Sequence, residues 1–204
     1  MTWLITANEN TLATKINLKR GFKANAERLA KQYREDLRIH ACGALCAFKL
    51  AGHLNVSVFK ATQFLSLPDE IEWLSNDCEW SALTMPNFEK KKIILHNPFH
   101  SEGRQQSDLM HELAHIICGH EHNEILHDKP LPFGMRNYNL EQEEEAKCLG
   151  STLQLATPCL LWANKRNMPN DEIAVHFNAS IDMVRYRLNM TGIGKRAYFA
   201  SKQF

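Results

Sequence analysis

The chain has 204 residues, 44% of them hydrophobic and 23% charged, with a formal net charge of +1. These values exclude a disordered chain and a wholly basic nucleic-acid binder, and they leave room for a substantial buried core. No apolar run reaches the roughly 18 residues of a membrane span, MTWLITANEN lacks the pattern of a signal peptide, and six cysteines show no CxxC spacing, so the expected setting is the cytoplasm, with free thiols and no membrane association.

Charge is uneven along the chain. Residues 15–38 carry eight Lys or Arg against three acids, 39–158 carry nine against sixteen, and 159–204 carry seven against three. Solvated helix faces are the favoured reading of these basic ends. Residues 1–20 have too little periodicity to decide between strand and helix. From Phe22 to about Ile39 the apolar Phe22, Ala26, Leu29, Ala30, Tyr33 and Leu37 recur at helical spacing. Ala44 to Leu54 reads as a second helix and Val56 to Phe59 as a short strand. Pro68 opens one or two helical turns over Asp69 to Leu74. Trp80 to Thr84 and Lys92 to Leu95 are expected as strands joined through Pro86 to Lys91, with Asn97 and Pro98 ending the second. That second strand is the expected docking place for a substrate strand, with Lys90, Lys91 and Lys92 discouraging unwanted edge pairing.

The next helix is expected from near Arg104 to about one turn after His115, with Gly119 as its stop. It contains MHELAHIICGH, in which His111, Glu112 and His115 spell HExxH. Positions four apart lie nearly above one another on a helix, so both imidazoles can grip one metal ion while Glu112 reaches a water on it. About 0.04 such motifs are expected by chance in a chain of this composition. The apolar Leu109, Met110, Leu113, Ala114, Ile116 and Ile117 around the trio argue further for a built site, because lone polar groups there would be costly to bury.

A catalytic zinc needs a third protein ligand. Position 121 is Glu rather than His, and His120 falls off the motif's helix face, so the expected source is a carboxylate on the following helix. Beyond a stretch from His120 to Asn139 containing Pro130, Pro132 and Gly134, Asn139 caps that helix with Gln142 three residues on, and the helix is expected to run to about Ala156, before Pro158. It offers Glu141, Glu143, Glu144 and Glu145. Glu145 is favoured because its face continues through Leu149, Thr152, Leu153 and Ala156, the most consistently apolar line. Glu141 lies one turn earlier on that face. Cys118 and Cys148, each three residues beyond a proposed ligand, are minor candidates for a thiol near the metal, and Tyr138, His120 and His127 for steadying an oxyanion.

Asn97 and Pro98 after a strand, Arg104 at the helix start, HELAH followed by Gly119 and His120, and Glu145 with Ala146 in the second helix resemble the ImmA/IrrE family of metallopeptidases, over residues 22–190. The resemblance implies an α+β, zincin-like fold, with a small mixed or antiparallel sheet packed on the HExxH helix. It implies Zn2+ held by His111, His115 and Glu145, with Glu112 catalytic, and a protein substrate that is a helix-turn-helix transcriptional repressor. Residues 171–190 themselves resemble a helix-turn-helix, with a turn at Asn178 and Ala179 and Ser180 as N-cap. A DNA-reading version would turn Asp182, Arg185 and Arg187 toward a groove; a packed helical pair is favoured. The expected organisation is a metallopeptidase domain over 1–158 and a small helical segment over 159–204. The alternative is a non-proteolytic DNA- or protein-binding regulator with a structural or vestigial metal site.

Overall fold

The computed structural model describes residues 18–76, 80–86, 91–120 and 139–193. Residues 1–17 of the undecided N-terminal stretch, residues 77–79 and 87–90, and the stretch 121–138 with its prolines, His127 and Tyr138 lie outside the described residues. Helix α1 (Phe22–Asp36) buries Ala26, Ala30 and Arg34, the small residues letting it lie close to its neighbours. Arg38, at φ 55°, turns the chain out of helical geometry and ends α1 before Ile39. Helix α2 (Ala47–His53), strand β1 (Ser57–Lys60), a short 3-10 turn and helix α3 (Pro68–Ser75) follow, α3 opening on Pro68 with the Glu70 carboxylate accepting from the amide of Leu67. Then come β2 (Ala82–Pro86), β3 (Lys92–His96), α4 (Glu102–Cys118), α5 (Leu140–Gln154), α6 (Thr157–Lys165), α7 (Asn170–Phe177) and α8 (Ile181–Thr191).

The three strands form one mixed sheet in the order β1-β3-β2, with β1 parallel and β2 antiparallel to β3. The class is therefore α+β, mostly helical. Among the described residues β3 is paired on both sides, which corrects the expectation of a substrate strand beside Lys92 to Leu95: a strand with two neighbours has no edge left to pair. Among the described residues, the edge next to α4 that carries no further strand is that of β2. Strand order is a non-local property, and adjacency in sequence to α4 does not reveal it.

Helix α4 packs on β2, β3, α2 and, most extensively, α5. It buries Leu109, Met110, Leu113 and Ala114 completely. The two helices approach closely because α5 has a glycine at the contact: a Cβ on Gly150 would lie 2.9 Å from the Met110 carbonyl oxygen and 3.1 Å from the His111 Cα. A buried polar chain adds to this contact. Ser107 Oγ donates to Gln154 Oε1 at 2.9 Å and accepts from the Ser180 amide at 2.9 Å, and Gln154 Nε2 donates to the Asn178 carbonyl at 2.7 Å. The α7–α8 turn is thereby tied to both helices of the site.

Asn178 ends α7 at φ 49°, and the Ser180 hydroxyl caps α8 by accepting from Met183 N, as the sequence suggests. Arg187 is not turned toward any groove. It is 4% exposed, donates to the Leu155 carbonyl at 2.9 Å and pairs with Glu27 of α1, whose carboxylate also accepts from the amide and hydroxyl of Thr157. A buried basic residue at helical spacing here answers a half-buried acid on another helix. The buried apolar cluster likewise runs from Ala26 through Leu113, Leu149, Leu160 and Ile173 to Ile193, across residue 158.

Gly150→Ala is expected to lower stability by about 1–3 kcal/mol through overpacking and to weaken metal binding, because the clash falls on the backbone of His111. Gly52→Ala, with nothing within 4 Å of the added methyl, is expected to be neutral or to gain up to about 1 kcal/mol. Urea unfolding of both variants checks the pair.

Candidate metal centre

Two residues of α4 and one of α5 converge where these helices touch. His111 Nε2 and His115 Nε2 lie 3.1 Å apart, and the Glu143 carboxylate reaches them with Oε2 3.3 Å from His111 Nε2 and Oε1 3.3 Å from His115 Nε2. Among the described residues this is the one set of three His, Cys, Asp or Glu whose donor atoms all fall within 4.8 Å of one another. The spacing suits zinc. Two donors each about 2.1 Å from a tetrahedral ion stand about 3.4 Å apart. Among the described residues, Oε1 of Glu143 is buried and accepts no hydrogen bond, and His115 Nε2 lies 3.3 Å from it.

Electrostatics point the same way. Burial pushes the Glu143 carboxyl up, but the imidazoles of His111 and His115 outweigh it and hold the group down to about 2. Burial likewise pulls the His111 imidazole down, and the bond to Glu143 with the charges of Glu112, Glu143 and Asp108 reverses this to a net rise. A pocket that raises a buried imidazole is one that favours positive charge. Cys118 and Cys148 are not in the set. Burial pushes the Cys118 thiol up to about 11 and the Cys148 thiol upward as well.

The structure does not bring Glu145 to the two histidines; the carboxylate it places beside them is that of Glu143. Glu145 Oε2 lies instead 3.1 Å from His120 Nε2, and its Oε1 lies 3.3 Å from Lys19 Nζ. The apolar-face argument selected the face of α5 that enters the core, whereas the donor must lie on the face that meets His111. Gly150 marks that face: Glu143 precedes it by seven residues, about 20° off the same line, while Glu145 precedes it by five, about 140° away. That glycine was the signal available in the sequence.

Glu112 is 5% exposed and faces the sheet. Its Oε2 accepts from the Thr84 amide at 2.8 Å and the Thr84 hydroxyl at 2.6 Å. Thr84 sits in mid-β2, and its amide turns toward α4 rather than β3, as alternate amides of an edge strand do. Nothing in the sequence links a threonine 28 residues upstream to the motif. His120, considered for an oxyanion role, is 6% exposed, with Nδ1 2.9 Å from His115 Nδ1 and Nε2 on Glu145. Both its ring nitrogens are occupied within the protein.

Compared with known protein families, residues 70–189, more than half of the chain, match the IrrE N-terminal-like domain, a peptidase family. The match runs from α3 to α8 and so contains β2, α4 and α5. No curated protein and no solved structure matches the chain.

Glu143→Ala is expected to reduce bound zinc from about one per chain to near zero, whereas Glu145→Ala at saturating zinc keeps it near full. Elemental analysis of the purified variants distinguishes the two carboxylates, and the reverse order would restore Glu145 as ligand.

Proposed function

Since this chain belongs to the IrrE N-terminal-like, ImmA/IrrE family of peptidases, we propose that it is a zinc-dependent endopeptidase of zincin-like architecture that acts in the cytoplasm. The observation that supports this most is the convergence of His111, His115 and Glu143 beside Glu112. The family implies a metal and a protein substrate; zinc as the ion and a helix-turn-helix transcriptional repressor as the substrate are our reading, the latter resting on the resemblance alone. Among the described residues no helix is long and apolar enough to cross a membrane.

A zinc ion held by His111, His115 and Glu143 would supply a Lewis acid that acidifies water and polarises a scissile carbonyl. Glu112 then takes the proton of the attacking water and returns it to the leaving amine. Thr84 holds one oxygen of that carboxylate from two sides, so the base keeps one orientation between water and leaving group. The backbone of β2 on either side of Thr84 offers its outer hydrogen-bonding groups along the same edge, and an extended substrate segment pairs there by strand addition. The non-proteolytic DNA-binding alternative loses one of its three groove-facing candidates, because Arg187 is buried against Glu27.

Glu112→Gln is expected to bind zinc normally and to lose cleavage of a co-expressed helix-turn-helix repressor, with a chelator abolishing wild-type cleavage and added zinc restoring it. Undiminished cleavage by the variant would remove Glu112 from its role. Thr84→Val removes one of the two bonds to Glu112 and is expected to lower kcat about tenfold with KM nearly unchanged, as steady-state kinetics on a cleavable repressor peptide would show.

A further inference from the structure

Behind the three proposed ligands lies a second set of buried polar groups that the hydrolytic scheme does not use. Gly119 closes α4 at φ 70°, with its amide on the Ile116 carbonyl at 3.1 Å and the His120 amide on the His115 carbonyl at 3.0 Å. This turn folds the chain back so that His120 sits against the far side of His115. The rings meet nearly edge to face, with centroids 5.0 Å apart, and His115 Nδ1 lies 2.9 Å from His120 Nδ1. His120 Nε2 continues to Glu145 Oε2 at 3.1 Å. The side chains of His115, His120 and Glu145 are only 1%, 6% and 11% exposed, so water competes little for these contacts.

We propose that His120 and Glu145 are positioning residues that orient the ligand His115 through one continuous hydrogen-bonded chain. The inference rests on the zinc reading above. Proton placement makes the chain self-consistent. His115 presents Nε2 toward His111 and Glu143, so as a neutral ligand it carries its proton on Nδ1 and donates it to His120 Nδ1. His120 Nδ1 is then an acceptor, its own proton sits on Nε2, and that proton is donated to Glu145. A carboxylate is an obligate acceptor, so the end of the chain fixes every tautomer before it. The result is a ligand whose ring orientation and lone pair are set by a partner two residues removed, an extended form of the carboxylate–histidine–metal arrangement. Glu145 thus serves the metal through two imidazoles, and His120 is turned away from substrate.

The test is zinc affinity, measured by competition with a chromophoric chelator, so that no peptidase assay is involved. His120→Phe keeps a ring of similar size and removes both bonds; it is expected to weaken zinc binding about 10–100-fold. Glu145→Leu weakens it in the same direction, and Glu145→Gln, whose side-chain oxygen still accepts from His120 Nε2, restores most of the loss. The double variant His120→Phe with Glu145→Leu binds no more weakly than His120→Phe alone, because both changes interrupt one chain. The visible spectrum of the cobalt-loaded protein shifts in His120→Phe relative to wild type, reporting altered ligand geometry. If Phe at 120 prevents folding, the comparison of Glu145→Leu with Glu145→Gln carries the same decision. Wild-type zinc binding with His120→Phe and Glu145→Leu within twofold of it, or strictly additive losses, overturns the proposal while leaving the zinc reading standing. Absence of zinc binding by the wild type, or undiminished binding by His115→Ala, overturns the zinc reading and this inference with it.

Discussion

The contact of α5 on α4 at Gly150 is the constraint from which the site follows. Where two helices meet without a side chain between their backbones, whatever projects from either flank of the seam is brought within a few ångströms. On α4 those groups are His111 and His115, one turn apart; on α5 the group is Glu143, two turns before the glycine. A methyl at 150 presses on the Met110 carbonyl and the His111 backbone, so the same atom that would destabilise the interface would also displace a proposed ligand. Core packing and metal geometry are one problem here, solved at one residue.

Helix α4 carries more polar side chains into the interior than an ordinary core helix tolerates, and the structure explains each by a partner. Glu112 is held by Thr84, Ser107 by Gln154, and Gln106 accepts from the Ala47 amide at 2.7 Å. His115 lies between His111 and His120. Burying such groups unpaired costs several kcal/mol each, so their density along one helix calls for dedicated partners on at least four other elements. These partners come from α2, β2, α5 and the turn after α4. The helix is rigidly clamped as a result, which suits a base and two ligands that must keep their relative positions.

The C-terminal helical pair belongs to this clamp. The α7–α8 turn meets α4 and α5 through Ser107 and Gln154, and Arg187 of α8 binds Glu27 of α1 and the end of α5. Removing Glu27 leaves the buried Arg187 guanidinium without its counter-charge, which is far more destabilising than the pair is stabilising. A segment whose sequence resembles a helix-turn-helix thus braces the helices that carry the site, as the favoured reading of a packed helical pair has it.

What the sequence by itself determined is what depends on neighbours along the chain. The helix bearing HExxH, its end at Gly119, the caps at Asn139 and Ser180 and the α+β class all follow from local spacing and local hydrogen bonding. His111 and His115 share a helix face because four residues make about one turn, a property of any helix. What only the tertiary structure decided is which face of one element meets which face of another. Glu143 rather than Glu145 joins the histidines because closest approach, not apolarity, selects the donor face of α5. Thr84 meets Glu112, and β2 rather than β3 offers the edge, because strand order is set by pairing between residues far apart in the chain. Periodicity describes an element's faces one at a time, and a site built from two helices and a strand exists only once those faces have chosen partners.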